Sequence, residues 1–218
     1  MTYEQIKANE DIRTYIAAAD ASLCALGYTE HSRAHVTCVA ERAGEILEKL
    51  GYDSRTAELA RIAGYLHDIG NLVNRIDHSQ SGAVIAFRLL DRLGFPSAEI
   101  AEIVTAIGNH DEGTGVPVSP LAAALILADK SDVRRSRVRN VDLSTFDIHD
   151  RVNYSAVASA LCIDPQEKTV TLKLEIDTSI GSVMDYFEIF LERMLLCKKS
   201  AQRLSLSFRL VINGQKLL

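Results

Sequence analysis

The sequence has little cysteine. Cys24, Cys38, Cys162 and Cys197 lie far apart and form no C-x-x-C pair, so they outline neither a disulfide framework nor a thiolate zinc site. Long apolar runs are missing too: the longest, residues 121–128, is far too short to span a bilayer. The first residues carry Glu4, Glu10 and Asp11 where a signal peptide has a basic start and an apolar core. A reduced cytoplasm is therefore the expected location, with no membrane partner. Positive charge is also scarce, and the formal net charge of −5 argues against affinity for long nucleic acids. The chain has no internal repeat, low-complexity segment or long linker.

What remains is an ordinary globular composition, 47% hydrophobic and 24% charged. At 218 residues the chain can bury one full core, with or without a small appendage. Helical periodicity dominates residues 1–143. Ile6, Ile12, Ile16, Ala19, Leu23 and Leu26 predict a helix over 2–26, stopped by Gly27. Thr29 is a candidate cap for a second helix to residue 50, and Asp53 for a third that runs into His67-Asp68. Asp77 or Ser79 is expected to start a helix over about 80–93, and Ser97 another that stops at Gly108. Ser119-Pro120 opens a further helix, in the manner of a cap followed by an N1 proline, and it leads to Asp129. Beyond residue 143 the pattern alternates. Strands are predicted over 154–163 and 169–176 around a turn at 164–168, then a helix over 182–202 and a last strand over 206–212. The expected fold is mainly α: a helical domain over 1–143 and a small α+β appendage over 144–218. Its sheet needs cover from the helical domain, its own helix or a second protomer, which makes the segment a candidate homodimer contact.

The stretch Tyr65-Leu66-His67-Asp68-Ile69-Gly70-Asn71 carries the strongest chemical signal. Imidazole nitrogen and carboxylate oxygen both bind divalent transition metals, and adjacent residues can grip one ion from two directions. Taken alone, the dipeptide reads as a solvated helix end, with histidine at the negative end of the helix dipole. It does not stand alone, because His35, His78, His110 and Asp129 each lie at the edge of a separate predicted helix. Asp129 follows the apolar Leu125-Ile126-Leu127-Ala128, so burial is expected, and a buried carboxylate is costly without a partner.

This order of residues resembles the HD superfamily of metal-dependent phosphohydrolases across roughly residues 28–139. His78 in "HSQSGAVIA" resembles the histidine of the HP-x-x-G segment in HD-GYP phosphodiesterases, and His110 in "NHDEGTG" resembles their second tandem histidine. Asn109 stands where those enzymes have the first tandem histidine, and Asn71 where they often have lysine. Both departures count against a cyclic-dinucleotide phosphodiesterase and leave six ligands. The resemblance implies that His35, His67, Asp68 and Asp129 hold one divalent ion. His78 and His110 would hold a second, weaker one through the bridge of Asp68. Manganese, iron, nickel, cobalt, zinc and magnesium all suit such ligands. A divalent ion acidifies water enough for it to act as hydroxide near neutral pH, which would make Asp68, His78 and His110 the catalytic residues.

Lys130, Arg134, Arg135, Arg137 and Arg139 form the one basic cluster. Such a run reads either as a solvated face or as phosphate capture. If the helix continues past Asp132, Lys130, Arg134 and Arg137 share a face and become the expected substrate contacts. Asp132, three residues beyond Asp129, is either an exposed carboxylate or a support for a ligand. The expected substrate is a small phosphoester, a nucleotide foremost. The same ligand pattern also serves HD-fold di-iron oxygenases, and a nucleotide- or metal-binding regulatory module is a third reading.

Overall fold

The computed structural model describes residues 1–218. The mainly α fold with a small α+β C-terminal part is what the patterning predicted. Helix α1 (Tyr3–Ala8) starts at a capping box formed by Thr2 and Gln5. It ends at Asn9, whose extended backbone and side-chain oxygen cap α2 (Glu10–Ala25) through the Ile12 amide. The single helix expected over 2–26 is thus two. An asparagine that bonds its own backbone can interrupt a helical pattern without proline or glycine. Helix α3 (Arg33–Lys49) is capped by Ser32 instead of Thr29, with the Ser32 hydroxyl accepting from the Ala34 amide. Residues 28–31 instead form a loop, and that loop reaches the functional site described below.

Helix α4 (Ser54–Leu66) is capped by Asp53, as its sequence predicted. It packs closely on α3, because a Cβ placed on Gly64 would lie 2.7 Å from the Ala40 Cα. A short 3-10 turn, Ile69–Leu72, links α4 to α5 (His78–Arg92). Then come α6 (Ser97–Gly108) and α7 (Pro120–Lys130), the latter opened by Ser119 and the N1 proline. Every α7 residue from Leu121 to Lys130 is buried. It is the central helix, flanked by α3, α4, α6 and α9 (Val183–Arg203).

After residue 143 one more helix precedes the sheet: α8 (Ile148–Ser155) occupies part of the span expected to be strand. Asp147 caps it, and Val152, Asn153 and Ser155 are buried. An eight-residue helix gives too short a repeat to stand out from the alternation that follows. Strands β1 (Ala156–Asp164) and β2 (Thr169–Ile176) form the expected antiparallel hairpin. β3 (Ser207–Ile212) runs parallel to β2 after α9, and β4 (Gln215–Lys216) closes the order β1-β2-β3-β4. Helix α9 covers β2 and β3 and packs on α7, and one apolar core runs unbroken from Tyr3 to Ile212.

The α3–α4 contact gives a direct test. The methyl added by Gly64→Ala meets backbone, which cannot move aside as a side chain can. Overpacking of this kind costs about 1–3 kcal/mol, so denaturant unfolding should show a lower midpoint at unchanged slope, with the unfolding free energy reduced by about that amount. An unchanged midpoint would show that the two helices separate freely.

Candidate metal centre

Four imidazoles and two carboxylates converge between α3, α4, α5, α6 and α7. His35 comes from the first turn of α3, and His67-Asp68 from the end of α4. His78 opens α5, His110 follows α6, and Asp129 lies in the last turn of α7. All six are buried. Gly70 makes the approach of His78 possible, because a Cβ there would stand 1.9 Å from the His78 carbonyl oxygen and 2.5 Å from the Gly82 amide. The 3-10 turn can therefore press its backbone against the start of α5. Asp77 helps from the other side, since its left-handed backbone (φ 55°) turns the chain into α5 so that His78 heads the first turn. Neither Asp77 nor Ser79 acts as a side-chain cap there.

Asp68 is the centre of the cluster. Its Oδ2 lies 3.2 Å from His67 Nε2 and 3.6 Å from His35 Nε2, while its Oδ1 lies 3.5 Å from His78 Nε2 and 3.9 Å from His110 Nε2. Asp129 Oδ1 faces the first pair, at 3.4 Å from His35 Nε2 and 3.7 Å from His67 Nε2. One carboxylate thus presents a different oxygen to each histidine pair. Asn71 donates its amide to the Asp68 carbonyl at 2.9 Å and to Oδ1 at 3.1 Å, and so fixes that orientation. Asn109 does not join the cluster. Its amide turns away to the Thr105 carbonyl.

Every ring is anchored through its other nitrogen. Nδ1 of His67 meets the Gly64 carbonyl at 2.7 Å, that of His110 the Ile107 carbonyl at 2.6 Å, and that of His78 the Arg75 carbonyl at 3.1 Å. His35 Nδ1 meets Asp132 Oδ2 at 2.8 Å. A carbonyl can only accept, so His67, His78 and His110 carry a proton on Nδ1 and turn Nε2 inward. At His35 and His67 that Nε2 is buried without any hydrogen-bond partner. Lone pairs facing carboxylate oxygens repel one another, and positive charge between them removes the repulsion. Buried, oriented N and O donors with supporting partners are the chemistry of a divalent-metal site. The His35–His67–Asp129 and His67–Asp68–His110 groups each converge closely enough to hold an ion. Burial pushes His110 and His78 below the ordinary histidine value, which keeps both neutral. Between the Asp68 and Asp129 carboxylates His67 is instead raised against the pull of burial. Burial alone would raise both carboxyls too, but His67 at Asp68 and chiefly Lys130 at Asp129 hold them well below the usual carboxylate range.

The basic run has a different role from the one expected. Helix α7 ends at Lys130, with Ser131 as its cap, and 135–137 is a separate 3-10 turn. Lys130, Arg134 and Arg137 therefore share no helical face. Arg134 bonds Asp132 and Glu30 at 3.1 Å each and lies outside the cavity, so it supports Asp132. Arg137 is buried and donates to the Glu30 and Asp132 carbonyls, both at 2.9 Å. Lys130 is held by Asp129 at 2.7 Å and Glu112 at 3.3 Å. Burial opposes its charge, but those carboxylates outweigh burial and raise its pKa. Asp132 is the support: it is almost fully buried and orients His35.

A polar cavity of about 470 Å³ opens from Asp68, His78, His110 and Asp129. Its wall includes residues that the sequence reading did not single out. Tyr28 and His31 come from the 28–31 loop, Arg75 from the turn before α5, Glu112 from the loop after α6, and Arg193 from α9. Arg193 donates to Glu112 at 2.7 Å and sits 4.0 Å above the Phe190 ring. The signal for Arg193 was a charge on an otherwise apolar helix face. For Arg75 it was a cation three residues before a proposed ligand.

Two substitutions test the cluster. The double variant His67→Ala, Asp68→Ala should purify without bound metal and lose any rise in melting temperature on adding manganese or nickel, because an ion binding only the folded state stabilises it by mass action. Stoichiometric metal in that variant would contradict the assignment. Asp132→Ala leaves every direct donor in place but frees the His35 ring. Chelator competition should show metal affinity reduced about 10–100-fold, and wild-type affinity would mean that Asp132 does not support the ligand.

A family model for the HD domain matches residues 32–134. The chain is 24% identical over 205 residues to an uncharacterized protein of Methanocaldococcus jannaschii, across 83% of this chain and 78% of that protein. It is also similar to the crystal structure of a predicted HD superfamily hydrolase from an uncultured Thermotogales bacterium. That match has 27% identity and a TM-score of 0.47, over 60% of this chain and 73% of the other. All six clustered residues fall within residues 32–134, the span that the HD-domain model matches.

Proposed function

We propose that this protein is a metal-dependent phosphohydrolase acting on a small phosphoester, with nucleotides the first class to try. The observation that carries the reading is that the His/Asp cluster forms the floor of a cavity with four cations in its wall: Arg75, Lys130, Arg137 and Arg193. Five carboxylates line the same space (Asp68, Glu112, Asp129, Asp147 and Asp150), so the side chains alone carry one net negative charge. Each divalent ion adds two positive charges, and a single ion already reverses the sign. An anionic substrate is favoured only once metal is bound.

His35, His67, Asp68 and Asp129 would hold one ion, and His78 and His110 a second through Asp68. When bound, the metal supplies acidified water and neutralises charge building on phosphate oxygens. The protein side chains set the positions. Asp68, fixed by Asn71, determines where the two histidine pairs meet, and Lys130 keeps positive charge beside Asp129. In the overall reaction water oxygen adds to phosphorus and the ester P–O bond breaks. The leaving oxygen takes up a proton from that water, giving an alcohol and phosphate. The C-terminal segment adds Phe190, Arg193, the α8 cap Asp147 and the α8 residues His149, Asp150 and Asn153, which form a wall for the rest of the substrate.

A panel of small phosphoesters, nucleoside monophosphates included, tests this with protein loaded with manganese, iron or nickel. Phosphate release should require metal and be absent from the His67→Ala, Asp68→Ala variant. No release with any metal, together with oxygen consumption by the reduced iron form, would replace this reading with the di-iron oxygenase.

A further inference from the structure

We infer that Arg75 is the residue that grips the substrate phosphoryl group, and that the substrate is a phosphomonoester; both rest on the phosphohydrolase reading above. Of the four cations in the cavity wall, three are held by partners at 3.3 Å or less, Arg193 through its Nε alone and Arg137 through its Nε and one terminal nitrogen. Lys130 is held by Asp129 and Glu112, Arg193 by Glu112, and Arg137 by two backbone carbonyls. Arg75 has no ion pair. Its guanidinium makes only two contacts, each 3.4 Å long, to Asn71 Oδ1 and His78 Nε2. Well-formed N–H···O bonds lie at about 2.7–3.2 Å, and a guanidinium carries five N–H donors. Most of the hydrogen-bonding capacity of Arg75 is therefore free for an incoming oxyanion.

Its position is set by structure on both sides. The Arg75 carbonyl accepts from the His78 ring, so the residue that anchors a metal-facing histidine also carries the free fork. The guanidinium carbon lies 5.7 Å from the centre of the Tyr28 ring, which holds the fork over the cavity from the 28–31 loop. The fork thus reaches the His78 edge of the cluster, where His78 Nε2 is 3.5 Å from Asp68 Oδ1. A planar fork binds two phosphate oxygens side by side. With two oxygens on Arg75, a third non-esterified oxygen is needed to face the Asp68 cluster. A phosphomonoester has three such oxygens and a phosphodiester two.

Calorimetric titration of inorganic phosphate into manganese-loaded protein tests the grip, with metal content measured separately on the same samples. Arg75→Ala should weaken phosphate binding about tenfold or more at unchanged metal content. Arg75→Lys should recover only part of it, because a point charge lacks the fork. Wild-type protein should hydrolyse phenyl phosphate in preference to diphenyl phosphate, and that preference should shrink in Arg75→Ala. Wild-type phosphate affinity in Arg75→Ala would overturn the assignment while leaving a phosphohydrolase in place. Equal turnover of monoester and diester by the wild type would overturn the ester class. Wild-type protein that neither binds phosphate nor releases it from any ester would remove the phosphohydrolase reading and this inference with it.

Discussion

The structure of the site depends on the carboxylate of Asp68, divided between two pairs of histidines. One oxygen faces His35 and His67, the other His78 and His110. Burying a carboxylate is costly unless it is paired, and here the costs are shared. Asn71 fixes the Asp68 rotamer, backbone carbonyls or Asp132 fix each imidazole, and Arg134 and Arg137 surround Asp132. The result is a buried set of donors already oriented for a cation. A site held this way loses little conformational freedom on binding, which favours tight retention of metal.

The packing of the helices serves that arrangement. Gly70 lets the 3-10 turn touch the start of α5, and Gly64 lets α3 and α4 approach until His35 and His67 stand with ring centres 5.3 Å apart. Helix α7, buried along its length, brings Asp129 to the same point from the centre of the fold. The C-terminal segment is joined to this centre. Helix α9 packs on α7, and its Arg193 bonds Glu112, which also meets Lys130 beside Asp129. A chain of charges therefore links the α+β part to a residue of the metal cluster.

Much of this was legible in the sequence, for identifiable reasons. Helical periodicity marked α3 to α6 because each buries one apolar face, Ser119-Pro120 marked the start of the wholly buried α7, and the alternation over Thr169–Ile176 marked β2 because one face is wet. His35, His67, Asp68, His78, His110 and Asp129 stood out because buried polar residues at helix edges need a partner. Apart from α8, which is too short to show a repeat, the misses depend on contacts distant in sequence. Nothing local to Asn9 says that α1 must turn away to pack on α4. Ser32 displaces Thr29 as a cap because the Glu30 and His31 amides bond the Arg137 carbonyl and the Asp20 side chain instead of continuing a helix. The basic run after Asp129 read as one helical face, but α7 stops at Lys130 and Arg134 is taken up by Asp132 and Glu30. Arg75 and Arg193 reach the cavity from a turn and from a helix more than 60 residues past Asp129.

The central claim is that the Nε2 atoms of the anchored histidines, together with Asp68 and Asp129, hold the metal. Anomalous scattering from crystals grown with manganese tests it most directly. The account predicts an ion at about 2.0–2.3 Å from His35 Nε2, His67 Nε2 and oxygens of Asp68 and Asp129. Any second ion should lie across Asp68, beside His78 and His110. An anomalous peak elsewhere in the cavity, or coordination through Nδ1, would contradict it.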